Sequence, residues 1–156
     1  YRERYETIGA YENTLYDGVI EMLDELSELG LSLSIATAKP EQTAHPILDY
    51  FEISERFDVR AGASMTSERR TKAQVIDHAL RELEIHADPD LVDHVIMVGD
   101  RDHDVHGAMH HGITCIGVTW GYGSVTELLK AGAVALANSA GDVAALVTEP
   151  YRLRDS

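Results

Sequence analysis

Three segments of this chain carry polar side chains that could hold a metal ion or a phosphate group. The most pronounced is Gly99-Asp100-Arg101-Asp102-His103-Asp104, where three acidic residues fall within five positions directly after an apolar run. Clustered carboxylates repel one another unless a cation lies among them, and hard oxygen ligands of this kind suit Mg²⁺. The segment therefore predicts a Mg²⁺ site with Asp100 and Asp104 as ligands. The alternative is an acidic loop without a ligand.

Two further segments could bind an anion. Thr37, Ala38 and Lys39 follow a strand-like run, and the Thr37 hydroxyl beside the N–H groups of a following helix would suit an anion. Lys72 stands at the start of a predicted helix, where a cation is unfavourable unless an anion lies close by. We therefore predict that Thr37, Ala38 and Lys72 contact a bound anion. The alternatives are an N-cap threonine without a ligand and a solvated surface lysine.

The spacing of apolar residues predicts the elements that position these segments. Helical and strand-like patterns alternate along the chain, which indicates an α/β fold: a Rossmann-like parallel sheet with helices on both faces. In such sheets ligands bind beyond the carboxyl ends of the strands, where all three segments fall. The predicted helices are Gly18–Leu29, Pro40–Phe51, Thr71–Glu84, Asp104–His111, Ser124–Ala131 and Gly141–Val147, and the predicted strands are Leu31–Ala36, Phe57–Ala63, His94–Val98, Ile113–Val118 and Ala133–Ala137.

Composition narrows the classes of partner. The chain has 156 residues, suited to one compact domain, and a net charge of −14 with 27 acidic and 13 basic residues. This negative field repels nucleic acid and anionic membranes, and no run of apolar residues is long enough to predict a membrane-spanning helix. The single cysteine, Cys115, lies in an apolar run and is expected to be buried, so nothing requires an oxidising compartment. We expect a cytoplasmic protein, and a homodimer is compatible with the sequence.

Taken together, the three segments resemble the haloacid dehalogenase superfamily. Ser34–Pro40 is similar to its motif II, Lys72 falls where its motif III lysine is expected, and Gly99-Asp100-x-x-x-Asp104 is similar to its motif IV. The stretches Leu15–Val19, Ile116–Ser124 and Ala131–Ala133 further resemble members of the phosphoglycolate phosphatase type.

The resemblance implies a Mg²⁺-dependent phosphatase that hydrolyses a small phosphorylated metabolite, phosphoglycolate-like or a nucleotide, through an aspartyl-phosphate. By position, Thr37 would bind a phosphate oxygen and Lys72 would contact both the phosphate and the nucleophile. Asp100 would ligate Mg²⁺, and Asp104 would support the site through water or Lys72. By the same resemblance, residues 1–16 would be the end of a helical cap and a connector, 17–148 the core domain and 149–156 a flexible tail.

One expected motif is missing. The family opens with a buried strand that ends in Asp-x-Asp-Gly-Thr or similar, and its first aspartate is the nucleophile. Tyr16-Asp17-Gly18-Val19 lacks the paired aspartates and the preceding apolar strand, so Asp17 is rejected as nucleophile. The missing segment would also form the central strand of the sheet, between Leu31–Ala36 and His94–Val98. We therefore expect a gap there, and negligible activity from this chain alone.

Two other interpretations stay open. A catalytically inactive scaffold or binding domain would explain the missing motif, although a purely structural domain has no need for Thr37, Lys72 and Asp100 together. A phospho-receiver domain would need a phosphate-accepting aspartate after one strand and further acidic residues from an earlier one, which Asp100 alone does not provide.

Overall fold

The computed structural model describes residues 15–152, in which strands and helices alternate as predicted. The strands are β1 (Ser34–Pro40), β2 (Val59–Ala63), β3 (Ile96–Gly99), β4 (Thr114–Val118) and β5 (Ala135–Ala137). The helices are α1 (Val19–Glu28), α2 (Glu41–Tyr50), α3 (Lys72–Glu82), α4 (Pro89–Val92), α5 (Asp102–His110), α6 (Val125–Ala131) and α7 (Ala140–Arg152), and Ser54–Arg56 forms a 3₁₀ turn. This arrangement confirms the predicted α/β class.

The strands form two parallel sheets. In the first sheet, β1 pairs with β2, and Ala36 lies opposite Ala61. In the second sheet, β4 lies between β3 and β5, and Val98 is opposite Ile116. Helix α3 packs on the first sheet and also against α5, which covers β3 and β4. The packing of α3 on α5 therefore joins the two sheets.

The predicted gap in the sheet is present. Within residues 15–152, β1 pairs only with β2, and β3 pairs only with β4. The unpaired edge of β1 and the unpaired edge of β3 therefore border the space between the two sheets. A cavity of about 830 Å³ occupies this space, and its lining is mainly apolar, with contributions from both strand edges and from α1, α3 and α7. The sheet is thus split at the place where the sequence predicts the central strand.

The core lies on both sides of β4. Cys115 packs in a cluster with Val105 of α5 and Leu128 of α6, whereas its neighbour Ile116 packs with Val143 of α7. Successive residues of a strand point to opposite faces, so an unbroken apolar strand is buried on both. The second sheet is therefore covered by helices on both faces.

Some boundaries differ from the sequence prediction. Strand β1 starts later than predicted and continues through Pro40, because Pro40 still lies opposite Ala63 of β2. Helix α7 runs on to Arg152, beyond the predicted end at Val147. The predicted cap remnant falls largely on residues outside the described part of the chain, as does the end of the predicted tail. None of the helices in residues 15–152 is long and apolar enough to cross a membrane.

Candidate functional site

Lys72 lies at the start of α3 with its ammonium directed between the two sheets. Thr71 caps this helix through a reciprocal pair of hydrogen bonds with Gln74, which fixes where the helix begins. The Lys72 side chain is only 8% exposed; its Nζ donates to the carbonyl oxygen of Ala36 at 2.8 Å and meets Asp104 Oδ1 at 2.7 Å. The anion expected to compensate a lysine at a helix N-terminus is therefore the Asp104 carboxylate.

Asp104 is buried, and both of its carboxylate oxygens contact other groups of the protein. Oδ1 faces the Lys72 ammonium, and Oδ2 accepts hydrogen bonds at 3.1 Å from the backbone N–H groups of Asp100 and Arg101. Its side chain is 5% exposed. This geometry fits the supporting role through Lys72 better than direct metal ligation, the other role that the sequence predicts for this residue.

Gly107 leaves room for the lysine. A Cβ atom at this position of α5 would lie 2.8 Å from Lys72 Cγ, closer than side chains normally approach. The absence of a side chain lets the lysine stem pass across α5 and reach Asp104. The glycine at position 107 thus allows the buried ion pair between Lys72 and Asp104 to form.

Asp100 follows Gly99, the last residue of β3, and lies at the carboxyl end of that strand as expected. Its Oδ2 accepts a hydrogen bond from the backbone N–H of Tyr122 at 2.9 Å. Mg²⁺ in phosphate sites typically takes one or two carboxylates, with water and phosphate oxygens completing the shell. Among the described residues no group of three His, Cys, Asp or Glu side chains could hold a metal. A Mg²⁺ ion at Asp100 would therefore need water and phosphate oxygens to complete its shell.

Thr37 and Ala38 lie within β1, and Thr37 lines the cavity. Thr37 Oγ1 accepts a hydrogen bond from the Lys39 N–H at 3.1 Å, and Ala38 is exposed. The following helix was predicted from Pro40, and α2 begins one residue later, at Glu41, because pairing with β2 keeps the chain extended through Pro40. Any phosphate contact at Ala38 would come from strand backbone.

The structure connects most of the predicted site residues. Lys72 contacts Asp104, Asp104 contacts the backbone of Asp100, and Lys72 also contacts β1 one residue before Thr37. The candidate site is thus a hydroxyl, an ammonium and a carboxylate at the carboxyl ends of β1 and β3, on either side of the cavity.

The loop after β4 falls in the stretch Ile116–Ser124 singled out from the sequence, but the contacts that fix it beside Asp100 were not predicted. Residues 119–124 follow β4 and lie against Asp100, and Arg101 Nε contacts Glu127 Oε2 of α6 at 3.2 Å. Arg101 and Glu127 lie far apart in the chain, and neither residue type is unusual in its segment, so the sequence did not predict this ion pair. A sequence signal was nevertheless present in Gly121-Tyr122-Gly123, since closely spaced glycines permit a tight approach of backbone to another group.

Cys115 lies near the ion pair without taking part in it. The thiol is buried, as predicted, and burial raises its pKa to about 12, with the Asp104 charge adding to this rise and the Lys72 charge opposing it. Because the thiolate is the nucleophilic form, Cys115 is unsuited to nucleophilic chemistry near neutral pH.

Comparison with known proteins agrees with this geometry. A tyrosine-protein kinase PtkA of Mycobacterium tuberculosis is 40% identical over 140 residues, covering 90% of this chain and 46% of its own length. A 5'-nucleotidase of Pseudomonas aeruginosa is 38% identical, covering 82% of this chain and 56% of its own length. A crystal structure of a predicted phosphatase from Clostridium acetobutylicum superposes with a TM-score of 0.87 at 36% identity, covering 95% of this chain and 66% of that one.

The chain spans about half the length of these curated relatives. The family model described as haloacid dehalogenase-like hydrolase matches residues 1–118. The similarity therefore extends from the first residues through the end of β4, including β1, α3, β3 and α5, which position the site. This chain belongs to the haloacid dehalogenase-like hydrolase family.

Proposed function

We propose that the chain forms the phosphate-binding and Mg²⁺-binding part of a phosphatase that hydrolyses small phosphomonoesters. The observation that carries this proposal is the buried Lys72 ammonium, held between the Ala36 carbonyl and the Asp104 carboxylate. Two charged groups removed from water are costly to keep, and replacing such a pair by apolar residues is often neutral or stabilising. A role in ligand binding therefore explains the buried Lys72–Asp104 pair better than a contribution to folding stability does.

Lys72 and Thr37 would bind the transferring phosphoryl group. An ammonium neutralises negative charge on the phosphoryl oxygens, and a hydroxyl donates a hydrogen bond to one of them. Asp104 and Ala36 hold the lysine, and β1 carries Thr37, so both groups would need little rearrangement to bind a phosphoryl group. Such preorganisation lowers the reorganisation needed in the transition state.

Asp100 would hold the metal. Mg²⁺ bound there would neutralise charge on the phosphate and orient it for in-line attack. The Tyr122 N–H fixes one carboxylate oxygen of Asp100, so the side chain is oriented by the loop after β4.

The nucleophilic aspartate would reach the site on an extended strand that fills the cavity between β1 and β3. A five-residue strand in a sheet occupies roughly 800 Å³, from a spacing of ~4.8 Å, a sheet-to-sheet distance of ~10 Å and a rise of ~3.3 Å per residue. The cavity measures about 830 Å³ and is lined mainly by apolar groups. The aspartate carboxylate would attack phosphorus, the ester bond to the alcohol would break with transfer of a proton to the leaving oxygen, and water would hydrolyse the aspartyl-phosphate.

The test uses the protein encoded by the whole reading frame that contains this chain. We expect it to hydrolyse p-nitrophenyl phosphate with Mg²⁺ and to lose activity with chelator. Asp100→Asn should raise the Mg²⁺ concentration needed for half-maximal rate at least tenfold, whereas Asp102→Asn, the neighbouring acid, should not. We expect the 156-residue chain by itself to be inactive but to bind inorganic phosphate in the presence of Mg²⁺.

Two outcomes would contradict the proposal. Absence of Mg²⁺-dependent phosphate binding and of turnover would favour a non-catalytic scaffold. Transfer of phosphate from ATP to a protein tyrosine, with no hydrolysis of phosphomonoesters, would favour the activity named for the mycobacterial relative. Turnover by the 156-residue chain alone would contradict only the proposed source of the nucleophile.

The proposed cellular location is the cytoplasm. The single cysteine is buried and forms no disulfide, and a small phosphorylated metabolite is the proposed partner. Export of the mature protein to an oxidising compartment, measured by fractionation, would contradict this.

A further inference from the structure

Tyr122 projects into solvent beside the candidate site. It is 89% exposed, the highest value among the large apolar or aromatic side chains of the described residues. The adjacent aromatic residue behaves differently, because Trp120 packs against the core and its ring lies 6.3 Å from that of Tyr16. One aromatic residue of this loop is therefore used for packing, and the other is left open to solvent next to Asp100.

The exposure of Tyr122 is built into a fixed loop. Its N–H donates to Asp100 Oδ2, and the next N–H, from Gly123, donates to the Asp100 carbonyl oxygen; both distances are 2.9 Å. A Cβ atom at Gly121 would lie 2.3 Å from Asp100 Cβ, so the loop backbone lies directly on the aspartate. The Arg101–Glu127 ion pair joins the residue after Asp100 to α6, the helix that follows the loop.

This anchoring places the tyrosine within reach of a bound phosphate ester. The N–Cα bond is ~1.46 Å, so Tyr122 Cα lies within roughly 4.5 Å of the Asp100 carboxylate oxygen. Tyr122 therefore adjoins the residue at which a metal and a phosphate ester would bind, and its exposed ring would be available to the leaving group of that ester.

An exposed aromatic ring at a rigid position suits one class of leaving group. Aromatic faces stack on planar bases, and a stacking contact of this kind is sequence-tolerant because every base has a π-face. Small aliphatic esters such as phosphoglycolate offer no ring to stack on. We propose that Tyr122 is a specificity-determining residue that stacks on the base of a nucleoside monophosphate. This inference rests on the proposed phosphatase function and selects between its two substrate classes.

The test compares two esters of equal charge in the complete protein. The esters are adenosine 5'-monophosphate, which carries a base, and glycerol 3-phosphate, which does not. The variants are Tyr122→Ala, Tyr122→Phe and the control Tyr50→Ala, a half-exposed tyrosine at the far end of α2. We expect Tyr122→Ala to raise KM for the nucleotide about tenfold, equivalent to about 1.4 kcal/mol, with kcat little changed.

The other variants separate stacking from a structural role. Tyr122→Phe keeps the ring and should stay within twofold of the parent protein on both esters, and Tyr50→Ala should do the same. Tyr122→Ala should change KM for glycerol 3-phosphate less than twofold. Equal losses on both esters, or a lowered thermal midpoint without a selective KM change, would overturn the inference while leaving the phosphatase proposal intact. Absence of turnover with the nucleotide, while p-nitrophenyl phosphate is still hydrolysed, would overturn the inference alone; absence of turnover with p-nitrophenyl phosphate as well would overturn both.

Discussion

Replacing Lys72 by methionine tests whether the buried ion pair organises the site. The side chains of Lys72 and Asp104 are almost fully buried, and Lys72 Nζ lies 2.7 Å from Asp104 Oδ1. Breaking a buried pair from one side costs about 3–5 kcal/mol because a charge is left uncompensated. Asp104 keeps two backbone hydrogen bonds to Oδ2, which offsets part of this loss, so we expect about 3 kcal/mol.

Urea unfolding measures this loss directly. With an m-value of about 2 kcal/mol per M, a loss of 3 kcal/mol lowers the unfolding midpoint by about 1.5 M. Lys130→Met is the matched control: this lysine is exposed near the end of α6, and its replacement should change stability by less than about 0.5 kcal/mol. Phosphate binding with Mg²⁺ should be lost in Lys72→Met and kept in Lys130→Met.

A double variant guards against simple failure to fold. Lys72→Met combined with Asp104→Asn removes the unpaired carboxylate as well, and the asparagine oxygen can still accept the two backbone hydrogen bonds. We expect this protein to be more stable than Lys72→Met by about 1–2 kcal/mol. The electrostatic reasoning would be refuted if the double variant lost as much stability as Lys72→Met and Asp104→Asn lose together. A loss below 1 kcal/mol in Lys72→Met would also refute it.

Three further predictions concern the framework of the site. Leu128→Ala should cost about 2–5 kcal/mol in urea unfolding because Leu128 is fully buried, whereas Leu129→Ala, at a position 54% exposed, should cost less than about 0.5 kcal/mol; equal losses would contradict the packing described. Thr71→Ala should cost about 1 kcal/mol through loss of the α3 cap, and an unchanged midpoint would count against that cap. Cys115 has a pKa raised from 9.0 to about 12, so the unfolded thiol ionises first and stability should fall as pH rises from about 9 toward 12; Cys115→Ala should remove this fall, and a slope that persists would assign it to other groups.

The alternation of apolar patterns predicted the fold well because each element carries its own periodic signal. Helix α3 was expected over Thr71–Glu84 and extends over Lys72–Glu82, since its cap and its apolar stripe are both local features. The brief helix α4 was missed, because four residues are too few to show a period. The end of β1 was misplaced because its length depends on pairing with β2, which lies more than 20 positions later in the chain.

The candidate site residues Asp100, Asp104, Thr37 and Lys72 were singled out because their residue types are unusual in their local segments, and their roles stay predictions. The partners that fix them could not be identified from the sequence, because the Ala36 carbonyl and the Tyr122 N–H belong to backbone that any residue supplies. Their importance arises from tertiary contacts, and such contacts leave no pattern in the residues themselves.

The position of the Lys72 ammonium links ligand binding to the relative placement of the two sheets. Through the Ala36 carbonyl it contacts the first sheet, and through Asp104 it contacts α5, which covers the second. An anion that drew the ammonium toward itself would weaken the contacts of Lys72 with Ala36 and Asp104, which join the two sheets. By thermodynamic reciprocity, a separation of the sheets that raised the affinity for the anion would itself be favoured by the bound anion, and by the same factor. Filling of the cavity between β1 and β3 and binding of an anion at Lys72 would then be coupled, each reporting on the other.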